Sequence, residues 1–382
     1  MTGIALLGST GSIGRQTLEV LAAHPDRFEL RGIAAGRASE GFTEQLAAWP
    51  RARAWCAEGR PADISPERWA EGGLEELATA DGVELVVVAT TGMTALPAVL
   101  AALAAGRRVA LANKETLVTG GHLVEAALQA AGGDPLERLR PVDSEHSAIW
   151  QCLLGERIED VRRLVLTASG GPFRDVEPGA LANVSPEDAL AHPTWRMGPK
   201  ITIDSATLVN KAFEAIEARW LYRLPYGRIE AVIHPQSVVH SLVEFTDGSY
   251  KAQLGVPDMR LPIQYALTHP ERLPSPARRQ APEAWGTLEF APLDPARFPA
   301  YRAVREAAAR GGNRGTILNA ADEVAVAAFL GGAIGFTRFA PILEGAVERW
   351  GADDEPALEQ VAALDAEVRS ALTLDLRPRG AA

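Results

Sequence analysis

Two short stretches carry acids, one of them with a lysine, at spacings that could do chemistry. In "RPVDSEHSAIW" (140–150), Asp143 and Glu145 stand two residues apart where a short strand ends and a helix begins. Asp143 or Ser144 there also reads as a helix N-cap, with Glu145 complementing the helix dipole. In "DSATLVNKAFEAIEARWL" (204–221), Phe213, Ile216 and Trp220 form an apolar stripe at roughly 100° per residue, and Asn210, Lys211 and Glu214 fall together on another face. An ordinary i,i+3 surface pair would place Lys211 and Glu214 the same way. Three carboxylates without a dominant histidine suit a hard divalent cation, Mg²⁺ or Mn²⁺, rather than zinc.

The lysines are informative because the chain hardly uses them. Of 38 basic residues only Lys114, Lys200, Lys211 and Lys251 are lysine. A compact three-donor ammonium and a planar guanidinium are not interchangeable in a tight site, so a lysine kept in an arginine-rich chain marks a candidate site. Ser205 and Thr207, read as the entrance to the helix of Lys211, would add hydroxyls near a helix N-terminus suited to an anion.

"LTASGGPFR" (166–174) ends a strand in Ser169-Gly170-Gly171, where small residues let backbone and hydroxyl approach a phosphate, or simply make a turn. "AHPTWRMGPK" (191–200) has neither helical nor strand periodicity. Trp195 and Met197 on such a loop read as a lid that excludes water, with a permanently packed tryptophan as the competing view.

A third pattern concerns a nucleotide. "ALLGSTGSIGRQTLEVL" (5–21) is a strand, a turn with Gly8, Gly11 and Gly14, and a helix, suited to bringing backbone N–H groups up to a pyrophosphate. The spacing is G-x-x-G-x-x-G, which by itself also fits a turn without ligand. After the second strand, "GIAAGRASE" (32–40) carries Arg37 where an NAD-binding fold would carry an acid. A cation there suits a 2′-phosphate, hence NADPH over NADH, although a surface arginine would look the same.

These groups need elements to hold them. "IALLG", "FELRGIAA", "ARAWCA", "VELVVVAT" and "RRVALAN" alternate with amphipathic Ala- and Leu-rich segments, which implies a parallel sheet covered by helices. From about Leu139 the texture changes, and "RLVLTAS", "IEAVIH", "SVVHSLVEF" and "SYKAQLG" read as strands of an α+β region. Seven prolines between His269 and Ala300 read as a linker, and four segments with helical spacing follow it. The expected class is α/β. A Rossmann-like NADPH-binding domain takes 1–142, a central α+β catalytic and metal-binding domain 143–269, a proline-rich linker 270–299, and a small helical domain 300–382.

Composition narrows the function classes. With 47% hydrophobic and 23% charged residues the chain is of ordinary globular type, and its net charge of −11 excludes a general nucleic-acid or membrane-surface binder. Cys56 and Cys152 are far apart, the N-terminus runs straight into a strand, and no apolar run is long enough to span a membrane. The expected location is the cytoplasm. An anionic substrate needs a local cluster, and the residues alone leave open an NADP-dependent dehydrogenase of a phosphorylated substrate or an idle NADPH-binding module.

Nine motifs in order resemble the 1-deoxy-D-xylulose 5-phosphate reductoisomerase family over nearly the whole chain: "GSTGSIG", "LANKE", "PVDSEHSAI", "SGGPFR", "HPTWRMG", "DSATLVNK", "HPQSVVHS", "GVPDMRLPI" and "LNAADEVAVAAFL". The resemblance implies NADPH- and metal-dependent rearrangement and reduction of 1-deoxy-D-xylulose 5-phosphate to 2-C-methyl-D-erythritol 4-phosphate, in non-mevalonate isoprenoid precursor biosynthesis, by a homodimer. It implies NADPH contacts from Thr10, Gly11, Ser12, Ile13, Gly36, Arg37, Ala38, Asn113, Glu115 and Gly198, and metal ligands Asp143, Glu145 and Glu214. Around the substrate it implies Lys114, Ser144, Glu145, Ser169, His192, Ser205, Asn210, Lys211 and Glu214, with Lys114 polarising a substrate oxygen and the phosphate falling to Ser169, Ser205, Asn210 and Lys211. The chain departs from the family's usual wording in three places. Gly36-Arg37-Ala38 replaces a common Gly-Lys-Asn, which leaves Ala38 only its backbone; "NKAFE" replaces "NKGLE"; and "NAADE" replaces a frequent "NAANE".

Overall fold

The computed structural model describes residues 1–195 and 197–377, which form two units. The first comprises residues 1–116, 123–151 and 258–279. Its sheet runs β3-β2-β1-β4-β5-β6, from β1 (Thr2–Leu7), β2 (Phe28–Ala35), β3 (Arg53–Cys56), β4 (Leu85–Val88), β5 (Arg108–Leu111) and β6 (Leu139–Pro141), with every pair parallel. The apolar runs in β1 and β4 are fully buried, as expected for strands covered on both faces. The strand order reverses between β1 and β4, so a crevice is expected at their carboxyl ends.

The glycine turn follows β1 directly. Gly8 has φ +93°, and a Cβ on Gly14 would lie 2.3 Å from the Gly8 carbonyl oxygen and 2.5 Å from that of Ser9. The helix Ser12–Ala23 therefore seats on the turn only because residue 14 has no side chain.

The second unit comprises residues 117–122, 152–257 and 280–382, of which 378–382 lie outside the described residues. Its sheet runs β10-β9-β7-β8-β11, from β7 (Val161–Ala168), β8 (Ile229–Ile233), β9 (Val239–Phe245), β10 (Tyr250–Leu254) and β11 (Ala291–Pro292), and is mixed. Phe213 and Ile216 of the helix Val209–Tyr222 share one core with Ile317 and Phe329 of Arg314–Leu330 and with Phe339 and Leu343 of Phe339–Trp350.

The units cut the chain differently from the boundaries at 142, 269 and 299. Asp143 to Gln151 remain with the first unit, and the chain returns there at 258–279 because Ile263, Ala266 and Leu267 bury their side chains in that unit's core. The C-terminal helices share the core of the helix Val209–Tyr222 instead of building their own. The proline-rich stretch is also tied down: Gln264 Nε2 donates to the Leu273 carbonyl at 2.7 Å, and β11 pairs with β8. Composition reports where regular hydrogen bonding stops, but not which core a stretch docks on.

Candidate active site

In the first unit, Lys114 follows β5 and places its Nζ 3.0 Å from Asp143 Oδ2. Both side chains are buried. The other Asp143 oxygen, Oδ1, accepts from the Glu145 backbone N–H at 3.2 Å, and Ser144 Oγ donates to Glu145 Oε2 at 2.6 Å. Asp143 thus satisfies a backbone donor at the start of the helix Ser144–Leu153, as the capping reading of "VDSE" expects, and also holds an ammonium.

Asn113 Nδ2 donates to the carbonyls of Thr90 at 2.8 Å and Gly92 at 2.9 Å, and its Oδ1 accepts from the Thr116 N–H at 2.9 Å. Its side chain ties the loop after β4 to the loop after β5, which holds Lys114 beside it in place. Nothing in the sequence alone distinguished this bracing role from a cofactor contact.

Gly11 is the N-cap of Ser12–Ala23, with Thr10 just before it and Ile13 half-buried. Gly36, Arg37 and Ala38 form an exposed bend after β2. Ser39 Oγ accepts from the Phe42 N–H at 3.3 Å, and the Ala38 N–H donates to Glu58 Oε2 at 3.0 Å. The only polar group Ala38 can offer through its N–H already has an acceptor, a feature that only the fold reveals. Thr10 to Ile13, Gly36 to Ala38, Asn113 and Glu115 all follow carboxyl ends of parallel strands, while Gly198 belongs to the second unit as the N-cap of Pro199–Thr207.

In the second unit, β7 ends in Ser169-Gly170-Gly171. A Cβ on Gly171, at φ +66°, would lie 2.6 Å from the Ser205 carbonyl oxygen, so this turn abuts the helix Pro199–Thr207. His192 Nε2 lies 3.1 Å from Ser169 Oγ and 3.1 Å from Ser205 Oγ. Its Nδ1 accepts from the backbone N–H groups of Thr194 at 3.1 Å and Trp195 at 2.8 Å. A nitrogen that accepts two N–H donors carries no proton, which puts the proton on Nε2 between the serines. Burial lowers the His192 pKa and favours that neutral form. The serines and the start of the Trp195 loop are therefore organised by one imidazole. Trp195 and Met197 are half-buried, and the Trp195 ring centroid lies 6.4 Å from that of His240.

Sequence periodicity gave one helix from Ser205 onward; the structure has two, Pro199–Thr207 and Val209–Tyr222, broken at Leu208 with φ 58°. Ser205 therefore sits in the last turn of the first helix, not at an N-terminus, and the dipole argument does not apply to it. Thr207 Oγ1 does accept from the Val209 N–H at 3.3 Å, at the start of the second helix. A leucine in left-handed conformation costs on the order of 1–3 kcal/mol, which sequence periodicity cannot register.

Lys211 Nζ donates to Glu214 Oε2, and Asn210 Nδ2 to Glu214 Oε1. Glu214 is 1% exposed and Lys211 4%, so this is a buried ion pair rather than a solvated surface one. Burying two charges costs several kcal/mol per ion before their attraction and hydrogen bonds offset it, so such a pair is weak evidence for a stabilising role. His234 is structural: its Nε2 accepts from the Val238 and Val239 N–H groups at 3.2 and 3.1 Å.

Comparison with known proteins identifies the family. Family models described as 1-deoxy-D-xylulose 5-phosphate reductoisomerase, its C-terminal domain, and the DXP reductoisomerase C-terminal domain match residues 4–121, 139–222 and 254–371. The 1-deoxy-D-xylulose 5-phosphate reductoisomerases of Geobacillus kaustophilus and Thermomicrobium roseum are 48% and 49% identical, covering 97% and 96% of this chain and 98% and 96% of their own. A crystal structure of DOX-P reductoisomerase in complex with NADPH, fosmidomycin and magnesium is 35% identical with a TM-score of 0.89, over 99% of this chain and 98% of the other. The Zymomonas mobilis enzyme in complex with NADPH is 37% identical with a TM-score of 0.85, over 98% of this chain and 99% of its own.

Proposed function

The chain belongs to the 1-deoxy-D-xylulose 5-phosphate reductoisomerase family, and from that premise we propose how its own residues carry the reaction. The enzyme converts 1-deoxy-D-xylulose 5-phosphate to 2-C-methyl-D-erythritol 4-phosphate by rearrangement and reduction, and depends on NADPH and a divalent metal. The single observation that supports the residue assignment best is the buried Lys114–Asp143 pair at the carboxyl edge of a parallel sheet of Rossmann order.

Asp143, Glu145 and Glu214 are the proposed metal ligands. The donor set fits a hard cation, since all three are carboxylates and Asp143 and Glu214 are buried. The cation, when bound, supplies Lewis-acid polarisation of substrate oxygens. Lys114, oriented by Asp143, presents an ammonium to a substrate oxygen and stabilises negative charge on it as the skeleton rearranges. Ser169, Ser205, Asn210 and Lys211 take the phosphate. His192 sets which way the two serine hydroxyls point, and Trp195 and Met197 close over the substrate to exclude water. Ser144 orients Glu145.

The Gly8–Gly14 turn fits a dinucleotide, because its backbone can be approached only where side chains are missing. Thr10 to Ile13 are assigned to the pyrophosphate and Gly36 to Ala38 to the 2′-phosphate end, with Arg37 supplying the charge. Asn113, Glu115 and Gly198 complete the assigned cofactor contacts.

A homodimer and a cytoplasmic location complete the proposal. Two buried free thiols support a reducing compartment; burial pushes the Cys152 thiol up to about 11 and leaves it inert. Among the described residues no helix is long and apolar enough to cross a membrane. The deciding assay follows NADPH oxidation with 1-deoxy-D-xylulose 5-phosphate and Mg²⁺ or Mn²⁺ and identifies the product. Oxidation without a branched-chain product would sink the rearrangement, and turnover indifferent to chelator would sink the metal assignment.

A further inference from the structure

Lys200 is a half-buried rare lysine, set against buried carboxylates, that the proposed reaction does not call on. It occupies the first turn of Pro199–Thr207, where a cation opposes the helix dipole, and local sequence supports it through the i,i+4 partner Asp204. The second partner is tertiary. Lys200 Nζ lies 2.6 Å from Asp204 Oδ2, 3.0 Å from Asp322 Oδ2, and 5.2 Å from the centroid of the Phe213 ring. Asp204 is 2% exposed and Asp322 is fully buried, in the middle of the helix Arg314–Leu330. Two such carboxylates need a cation, and the one they share stands two residues after Gly198.

The Trp195 loop is therefore held at both ends by different chemistry. At its start His192 Nδ1 takes the N–H groups of Thr194 and Trp195, while Nε2 meets the hydroxyls of Ser169 and Ser205. At its end Lys200 fastens the chain to Arg314–Leu330, and it fastens the first turn of the very helix whose last turn bears Ser205.

We infer that Lys200 is a positioning residue: clamped by Asp204 and Asp322, it fixes the downstream end of the loop and the helix of Ser205 against Arg314–Leu330 without touching the substrate. This rests on the proposed closure of Trp195 over the substrate. A group that acts on closure and on the placing of Ser205 changes how tightly the substrate is held more than how fast bound substrate reacts.

The test is KM and kcat for 1-deoxy-D-xylulose 5-phosphate at saturating NADPH and Mg²⁺, with thermal melting of each variant and NADPH affinity by fluorescence in the absence of substrate. Lys200→Met is expected to raise KM about tenfold with kcat within about twofold. Lys200→Arg should recover most of the loss, since a guanidinium still reaches two carboxylates. In an Asp322→Asn background, Lys200→Met should raise KM by a smaller factor than in the wild type, because half of the clamp is already weakened. Lowered kcat and melting temperature with KM unmoved would mean a merely structural ion pair and overturn the inference, as would identical factors in both backgrounds. If Lys200→Met does not fold, Asp322→Asn alone decides: a raised KM at intact kcat supports the clamp and an unchanged KM overturns it. Trp195→Ala separates the two levels. An unchanged KM there removes loop closure and the clamp with it, whereas a raised KM beside an indifferent Lys200→Met condemns the clamp alone.

Discussion

The glycine turn at residues 8–14 and the helical segment at 205–214 solve opposite problems. The turn works through missing side chains: Gly14 lets a helix seat on two carbonyl oxygens, and what is left exposed is backbone. The segment works through side chains packed where charge is costly, with Lys211, Asn210 and Glu214 satisfying one another on a helix that starts at a left-handed leucine. The first is set by sterics and admits almost no substitution at Gly14. The second is set by charge balance, and a change of one charge leaves its buried partner without that counter-ion.

The largest expected effect probes that second region. Glu214→Gln keeps the shape and removes one anion, and should lower kcat by at least about a thousandfold, roughly 4 kcal/mol of transition-state stabilisation, while NADPH affinity stays within about threefold. Metal titration into wild type and variant with NADPH present checks it; equal metal affinity would take Glu214 out of the ligand set. Gly14→Ala probes the first region. A Cβ 2.3 Å from the Gly8 oxygen forces the backbone apart, so about 1–3 kcal/mol of stability should be lost together with NADPH affinity. Gly11→Ala is its control, because there the nearest atom is 3.6 Å away and melting should hardly change.

Lys211→Arg keeps the charge and changes the shape. It should raise KM for the substrate about tenfold, about 1.4 kcal/mol, because a longer planar fork does not fit an ammonium's place beside Asn210 and Glu214. Kinetics equal to wild type would make Lys211 simply a partner of Glu214.

The smallest effect is a pH limb. The His192 pKa is depressed below its ordinary 6.5 by burial, so the neutral ring's contribution is complete above about pH 6.5 and is lost as pH falls through the lower folded value. Protonated Nδ1 can no longer accept from Thr194 and Trp195, and KM should rise by a few-fold at acid pH. A His192→Gln enzyme that keeps the same acid limb would assign it to another group.

Much of this was readable before folding. Alternating apolar runs gave the five strands β1 to β5 and the C-terminal helices, because burial on a sheet or helix face follows a local period. The rarity of lysine points to Lys114 and Lys211, and the fold buries both beside carboxylates. Less legible was the break at Leu208, since a period of 3.6 runs straight through a residue whose unusual φ is enforced by its surroundings. The return of residues 258–279 to the first unit was also hidden, because a helix with one apolar face carries no label for the core it will join.

The amino-acid order by itself determined which residues were available for chemistry, where the chain could turn without side chains, and which segments had a face to bury; these follow from residue type and spacing within a few turns of chain. Only the tertiary structure decided the partners. It gave Asp143 to Lys114, Glu214 to Lys211, two serines to one neutral imidazole, and Lys200 to an aspartate more than a hundred positions away. A buried charge takes whichever opposite charge the packing brings within about 3 Å, and that proximity depends on elements that meet only when the whole core forms.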